Sequence, residues 1–418
     1  MSPLFEHAKL SKRDAILVFL AFAVAYFLSA LIRSITATIS PTLTAELALG
    51  AKDLGLLAGG YFLGFAAMQL PLGHWLDRHG PKRVILSLLA VAVVGCVAFS
   101  WASGFSGLLL ARILCGVGVS ACLMAPLTGY RRWFDSATLM RANSWMLMTG
   151  SLGMVASTLP VQWLMPILGW RAIFLGLAVL LVLAMLLIYW QVPAWDASPS
   201  HINTTTTNAS TSGYSEVWAH PYFRKMAPIG FFTYGGLVAM QTLWVVPWMT
   251  RVALYTPIEA ATGLFWLNLG MLVSFWLWGL LSPWLVERGL NAERLITAGM
   301  PLSFIALALV IFAAGSLGSW TALGLTLYCM SCTFVSLAQP SVGMAFPAAL
   351  AGRALSAYNL VIFSGVFIIQ WGIGLLIDGF RALGWAEVAA FQAALGVFLV
   401  CCVGSYFHFL LAAGGKKS

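Results

Sequence analysis

Two arginines stand inside long apolar runs, Arg33 in FLSALIRSITA and Arg112 in LLLARILCG. A charged side chain is costly in hydrocarbon, and one found there usually faces a water-filled cavity or a partner. The competing reading is that each snorkels separately to the nearest interface. Guanidinium keeps its charge at every physiological pH, and its planar fork of donors binds a carboxylate or phosphate through two parallel hydrogen bonds. No Asp or Glu lies in the interior of any apolar run, and no His lies near the centre of one. An anionic substrate would therefore supply the missing counter-charge. Tyr26 precedes Arg33 by seven residues and shares its helical face. Tyr61, Gln241, Trp244, Asn268, Asn359 and Gln370 complete the candidate lining. Amides in membrane helices serve interhelical packing about as readily as binding. Enzymatic chemistry would need paired acids or a Ser–His dyad at the same depth, and the sequence offers neither. The expectation is a non-enzyme without metal or cofactor.

The elements that must position these residues are membrane helices. The 418 residues are 61% hydrophobic and 8% charged, with a mean hydropathy of +0.92, so lipid is the solvent. Only helices and closed barrels satisfy the backbone in hydrocarbon, and continuous rather than alternating apolar runs exclude a barrel. At roughly 20 apolar residues per crossing, spans are expected near about 14–39, 54–76, 83–101, 106–129, 139–165, 170–192, 227–250, 258–282, 293–315, 319–342, 352–378 and 384–411, about twelve in all. Arg33 then lies about 19 residues into the first span, roughly 28 Å of rise, and Arg112 about six residues into the oppositely directed fourth, roughly 9 Å. Both come out in the outer half at similar depth. The first run follows Lys9, Lys12 and Arg13 like a signal sequence, but its length predicts a retained anchor. Basic residues crowd one set of loops, from Arg78, Lys82 and Arg83 to Lys416 and Lys417, while the other set carries Lys52, Arg171, Arg251 and Arg381. Positive-inside bias places both termini in the cytoplasm of a bacterial inner membrane protein. The net charge of +9 is thus topology, not a nucleic-acid footprint. The seven cysteines fall within spans as small apolar residues, the C-x-x-C at Cys329 and Cys332 included.

Between the second and third spans runs Gly73-His74-Trp75-Leu76-Asp77-Arg78-His79-Gly80-Pro81-Lys82-Arg83. This spacing closely resembles the loop 2–3 signature of the major facilitator superfamily of secondary transporters. The resemblance implies an all-α fold of twelve helices in two pseudo-symmetric six-helix bundles. It also implies that Gly73 lets two helices approach and that Asp77 contacts a helix terminus across the bundle interface in one transport state only. An internal duplication agrees. Arg141-Ala142-x-Ser144 recurs as Arg353-Ala354-x-Ser356, Asp77-Arg78 as Glu287-Arg288, Pro126-x-x-Gly129 as Pro340-x-x-Gly343, and Tyr26-x6-Arg33 as Tyr234-x6-Gln241, in chain order with offsets of about 208 to 214. Gln241 is then the repeat counterpart of Arg33. Gly73, Asp77, Arg78, Gly80, Arg83, Glu287, Arg288, Arg141 and Arg353 are the expected gating set. Gly116, Gly118, Gly150 and Gly153 are expected to let helices pack closely.

Within the superfamily the arginine pair, with Tyr61-Phe62-x6-Gln69-x-Pro71-x-Gly73, resembles the anion:cation symporter branch. Ile32 stands where that branch often has an acid, which sets carboxylate-based proton coupling aside. The polar stretch 193–225 reads as a cytoplasmic linker between bundles 1–192 and 226–418. The leading function is alternating-access transport of a small organic anion or amino-acid-like metabolite by a monomer in the bilayer, with a proton or sodium as the candidate coupling ion. A drug or metabolite efflux antiporter and a non-transporting sensor on the same body are the alternatives.

Overall fold

The computed structural model describes residues 10–195 and 209–414. Among these, nine stretches are long and apolar enough to cross a membrane. Three of the nine are broken internally, at Gly80, at Gly169 and across residues 314–320; the pieces before Gly80 and Gly169 continue the helices Ala51–Ala67 and Ser136–Ala156, which gives twelve crossings among the described residues. Gly80 (φ +75°) and Gly169 (φ +71°) occupy the left-handed region where only glycine is unstrained. At Gly80 a Cβ would also stand 2.1 Å from the Trp195 ring.

The helices are α1 (Lys12–Leu47), α2 (51–79), α3 (81–101), α4 (Phe105–Trp133), α5 (136–168) and α6 (170–191), then α7 (Pro221–Arg251), α8 (Pro257–Glu287), α9 (Ala292–Ala313), α10 (321–344), α11 (Ala348–Ala382) and α12 (Glu387–Gly414). They form the expected pair of six-helix bundles. A short helix, Ala209–Ala219, lies in the linker. The Thr-rich centre of that linker, Lys9, Lys416 and Lys417 fall outside the described residues.

The exterior is apolar, as a lipid solvent demands: Phe312 is 81% exposed and Ile167 77%. Inside, small residues bring backbones together. A Cβ on Gly116 would lie 1.9 Å from the Tyr61 carbonyl oxygen, and one on Gly153 would lie 2.3 Å from that of Phe27. Gly118 meets the Ala92 backbone in the same way, while Gly150 makes room for the Tyr26 ring. Gly73 does not, since nothing approaches it within 4 Å here.

The bundles meet most tightly along α2 and α11. Cβ atoms on Gly55 and Gly374 would each lie 2.3 Å from a backbone carbonyl oxygen, of Gln370 and Ala51 respectively. Phe65 and Phe363 extend this contact with ring centroids 4.5 Å apart.

Candidate functional site

Arg33 is half-buried, and protein groups of both bundles surround its guanidinium, so it does not stand alone at a lipid interface. Its guanidinium faces Tyr61 and Tyr26 and lies 5.9 Å from the centroid of the Phe65 ring. Tyr234, on α7 of the other bundle, faces both Arg33 and Tyr26 across the interface. Cys122 of α4 and Ser29 of α1 adjoin the same spot. Arg33 Nε and the Tyr61 hydroxyl make no hydrogen bond. A permanent cation thus lies beside phenol hydroxyls with no acid against it, an arrangement that suits a carboxylate better than a neutral ligand.

Arg112 sits behind Tyr61. Its guanidinium lies 5.0 Å from the centroid of that ring, and Nη1 donates to the Ile32 carbonyl at 2.9 Å. It is fully buried, with Nε and Nη2 unpaired. The two arginines therefore do converge on Tyr61, Arg33 half-buried and Arg112 fully buried. Among the described residues neither has an acidic partner within 4.0 Å. Burying an unpaired charge costs several kcal/mol, so the pair holds a positive potential at the price of stability.

The second bundle contributes buried amides. α7 carries two π-helical stretches, Ile229–Tyr234 and Met240–Trp244. Such insertions recur at functional positions because they re-aim side chains within a helix. Gln241 Nε2 donates to Asn268 Oδ1 at 2.6 Å, and Asn268 Nδ2 reaches the Met154 carbonyl of α5 at 3.5 Å. Gln339 Nε2 donates to Asn359 Oδ1 at 2.7 Å. Gln370 Nε2 donates to Thr242 Oγ1 at 2.9 Å, while its buried Oε1 stays unpaired. Trp244 Nε1 donates to the Gln370 carbonyl at 3.1 Å. Trp244 also lines a separate cavity of about 380 Å³ beside Pro247 and Phe391.

Sequence reasoning did not select Tyr234, Phe65, Ser29, Cys122 or Gln339 for the site. Tyr234 was detectable as the repeat counterpart of Tyr26. Gln339 was detectable as an amide within a predicted span, like Gln241, whereas Phe65, Ser29 and Cys122 carry no signal of their own, because small and aromatic residues are common throughout membrane helices.

The gating set is spread over the loops. Asp77, Arg78 and Arg83 are exposed, and Arg288 lies 4.0 Å from the Trp284 ring centroid. Arg141 and Glu287 are exposed too. Among the described residues no hydrogen bond or ion pair joins Asp77 to α11. Arg353 instead lies against the linker helix at Gly213 and beside Tyr214, whose phenol burial raises while Arg353 opposes the shift. The contact expected of Asp77 is not made in this state.

The profile of the Major Facilitator Superfamily matches residues 22–370. The probable L-galactonate transporter of Escherichia coli K12 is 25% identical over 337 residues, 75% of this chain and 72% of that protein. The probable sulfoacetate transporter SauU of Cupriavidus necator is 23% identical over 334 residues, 74% of this chain and 75% of that protein. Among solved structures, an inward-facing, unoccupied bacterial homologue of the human lysosomal transporter Spinster superposes with a TM-score of 0.78. It is 18% identical and covers 97% of this chain and 98% of its own. With twelve crossings in two bundles and a family match over most of its length, this chain belongs to the Major Facilitator Superfamily and is an integral membrane transporter, not an enzyme.

Proposed function

We propose that the protein moves a small organic anion across the bacterial inner membrane by alternating access, with bundles 1–192 and 226–418 rocking about Arg33. The observation that carries this reading is the half-buried guanidinium of Arg33, without an acidic partner among the described residues, beside the Tyr61 hydroxyl. Low-dielectric walls focus the field of two permanent cations and raise the local anion concentration. A carboxylate seated between Arg33, Tyr26, Tyr61 and Tyr234 completes the site, and Arg112 adds charge from behind. Relatives named for galactonate and sulfoacetate transport support an organic anion as cargo. Gln241 and Asn359 face that cargo from the second bundle once their amide pairs open, with Asn268 and Gln370 as their supports.

In this reading the termini and the 193–225 linker are cytoplasmic, Asp77 lies on the cytoplasmic side, and the Ala51–Asp378 end faces outward. Cysteines placed at Thr205 and Ser418 should resist an impermeant thiol reagent in intact cells, and labelling from outside would reverse the orientation. The substrate class is tested by thermal shift of the purified protein with sugar acids, sulfonates, amino acids and lipophilic cations, since a ligand bound only to the folded state raises its stability. A response to carboxylates or sulfonates that vanishes in Arg33→Gln supports the proposal. A response to cations alone overturns it.

A further inference from the structure

α2 and α11 run antiparallel along the bundle seam, so each begins near where the other ends. Asp378, in the last turns of α11, places its carboxylate on the first turn of α2. Its Oδ1 accepts from the Ala51 N–H at 3.1 Å and its Oδ2 from the Lys52 N–H at 2.9 Å. These are two of the N–H groups that every helix start leaves without an intrahelical partner, and the helix dipole favours an anion there. The cap position of α2 is Gly50, which has no side chain to do this work. A Cβ on Gly50 would lie 2.8 Å from Asp378 Oδ2, so the missing side chain also makes room for the acid. The cap of α2 is thus supplied by the other bundle. The glycine contacts at Gly55 and Gly374 let the two backbones close against each other beside it.

The far end of the seam is arranged in the same sense but is not engaged. Asp77 lies in the last turn of α2, while α11 begins after Pro347, which gives no side-chain cap. The duplication does not repeat the device: the position 212 residues before Asp378 is Pro166, so the α5–α8 seam has no corresponding acid. Asp378 also lies on the wall of the 380 Å³ cavity, which it shares with Arg251, Arg381 and Glu387. The cavity leaves room for solvent to reach this carboxylate once the seam opens.

We infer that Asp378 is a latch: its cross-bundle cap on α2 holds the outer end shut in the state seen here and must break for that end to open. Asp77 and the start of α11 act at the other end, so α2 and α11 exchange one cap for the other as the bundles rock. This inference rests on the alternating-access reading. It does not depend on which substrate is carried.

The test is pulsed electron resonance on spin-labelled protein in lipid nanodiscs, in a background with the native cysteines replaced. One label pair, Ala45→Cys with Leu383→Cys, spans the latched end, and a second, His79→Cys with Gly352→Cys, spans the other; all four positions are exposed. Asp378→Asn keeps the side-chain shape and removes the charge. It should shift the ratio of closed to open distances at the latched end by roughly tenfold, the scale of losing one helix cap. The second pair should shorten in step, and Asp77→Asn should move both pairs the opposite way. A fold defect would not produce opposed changes at the two ends. Unchanged distributions in Asp378→Asn, or broadening at both ends together, would overturn the latch. Opposed shifts in a protein that binds no organic anion would leave the latch standing and remove the substrate reading.

Discussion

The two walls of the central site descend from one duplicated unit, yet they bury polarity in opposite ways. On the first bundle, Arg33 and Arg112 flank Tyr61 with nitrogens that make no hydrogen bond and no acid nearby. On the second, the amides are turned on one another, Gln241 to Asn268 and Gln339 to Asn359. Neutral amides can satisfy each other inside a membrane protein at little cost, so their pairing alone does not demand a ligand. A permanent cation cannot be satisfied by another cation. A counter-charge from outside the fold would satisfy it, and that asymmetry is why the proposed site puts the anion at the first bundle.

The sharpest way to break this comparison is Arg33→Gln. Removing one partner of a buried charged contact should weaken anion binding by about 2–5 kcal/mol, enough to abolish the ligand-induced thermal shift. Arg33→Lys should recover little, because an ammonium cannot reproduce the two-bond fork. Parental affinity in the Gln variant would move the site elsewhere. Arg112→Gln should cost less, about 1–3 kcal/mol of binding, since its guanidinium reaches the cavity only through its field past the Tyr61 ring. Isothermal titration of both variants decides the order, and a larger loss at Arg112 would exchange the roles of the two arginines.

The second wall is probed by a cycle of Gln241→Ala, Asn268→Ala and the double variant. The pair should show a coupling of about 0.5–1.5 kcal/mol in thermal stability, the range of hydrogen bonds between membrane helices. Zero coupling would mean the two amides act separately and are free to serve the ligand. The smallest effect should come from Tyr234→Phe, about 0.5–1.5 kcal/mol of anion affinity with unchanged melting of the empty protein. A melting change without an affinity change would make Tyr234 a packing residue only.

Much of the architecture was legible because lipid imposes a strong rule. Apolar runs of sufficient length, punctuated by basic loops, lead to twelve crossings even where the helices run together through Gly80 or Gly169. The loop spacing around Asp77 and the offset repeats led to the family. The site was half legible. Arg33 and Arg112 stood out because intramembrane charge is rare, and Tyr26 because it shares the face of Arg33. Asp378 escaped notice because an acid at the last residue of a predicted span reads as an ordinary loop charge.

Type and depth are properties of a single helix, and the sequence determined them: which residues lie in the membrane, how far in, and which are charged. Facing and pairing are properties of several helices at once, and only the tertiary structure decided them. It left Arg33 half-buried and Arg112 fully buried behind Tyr61, matched Gln241 with Asn268 and brought Tyr234 beside Arg33. It also set Asp378 on the start of α2, some 327 residues away in the chain from Ala51. The physical reason is that hydrogen bonds and ion contacts act over about 3 Å, a distance that only the packing of the bundles can fix.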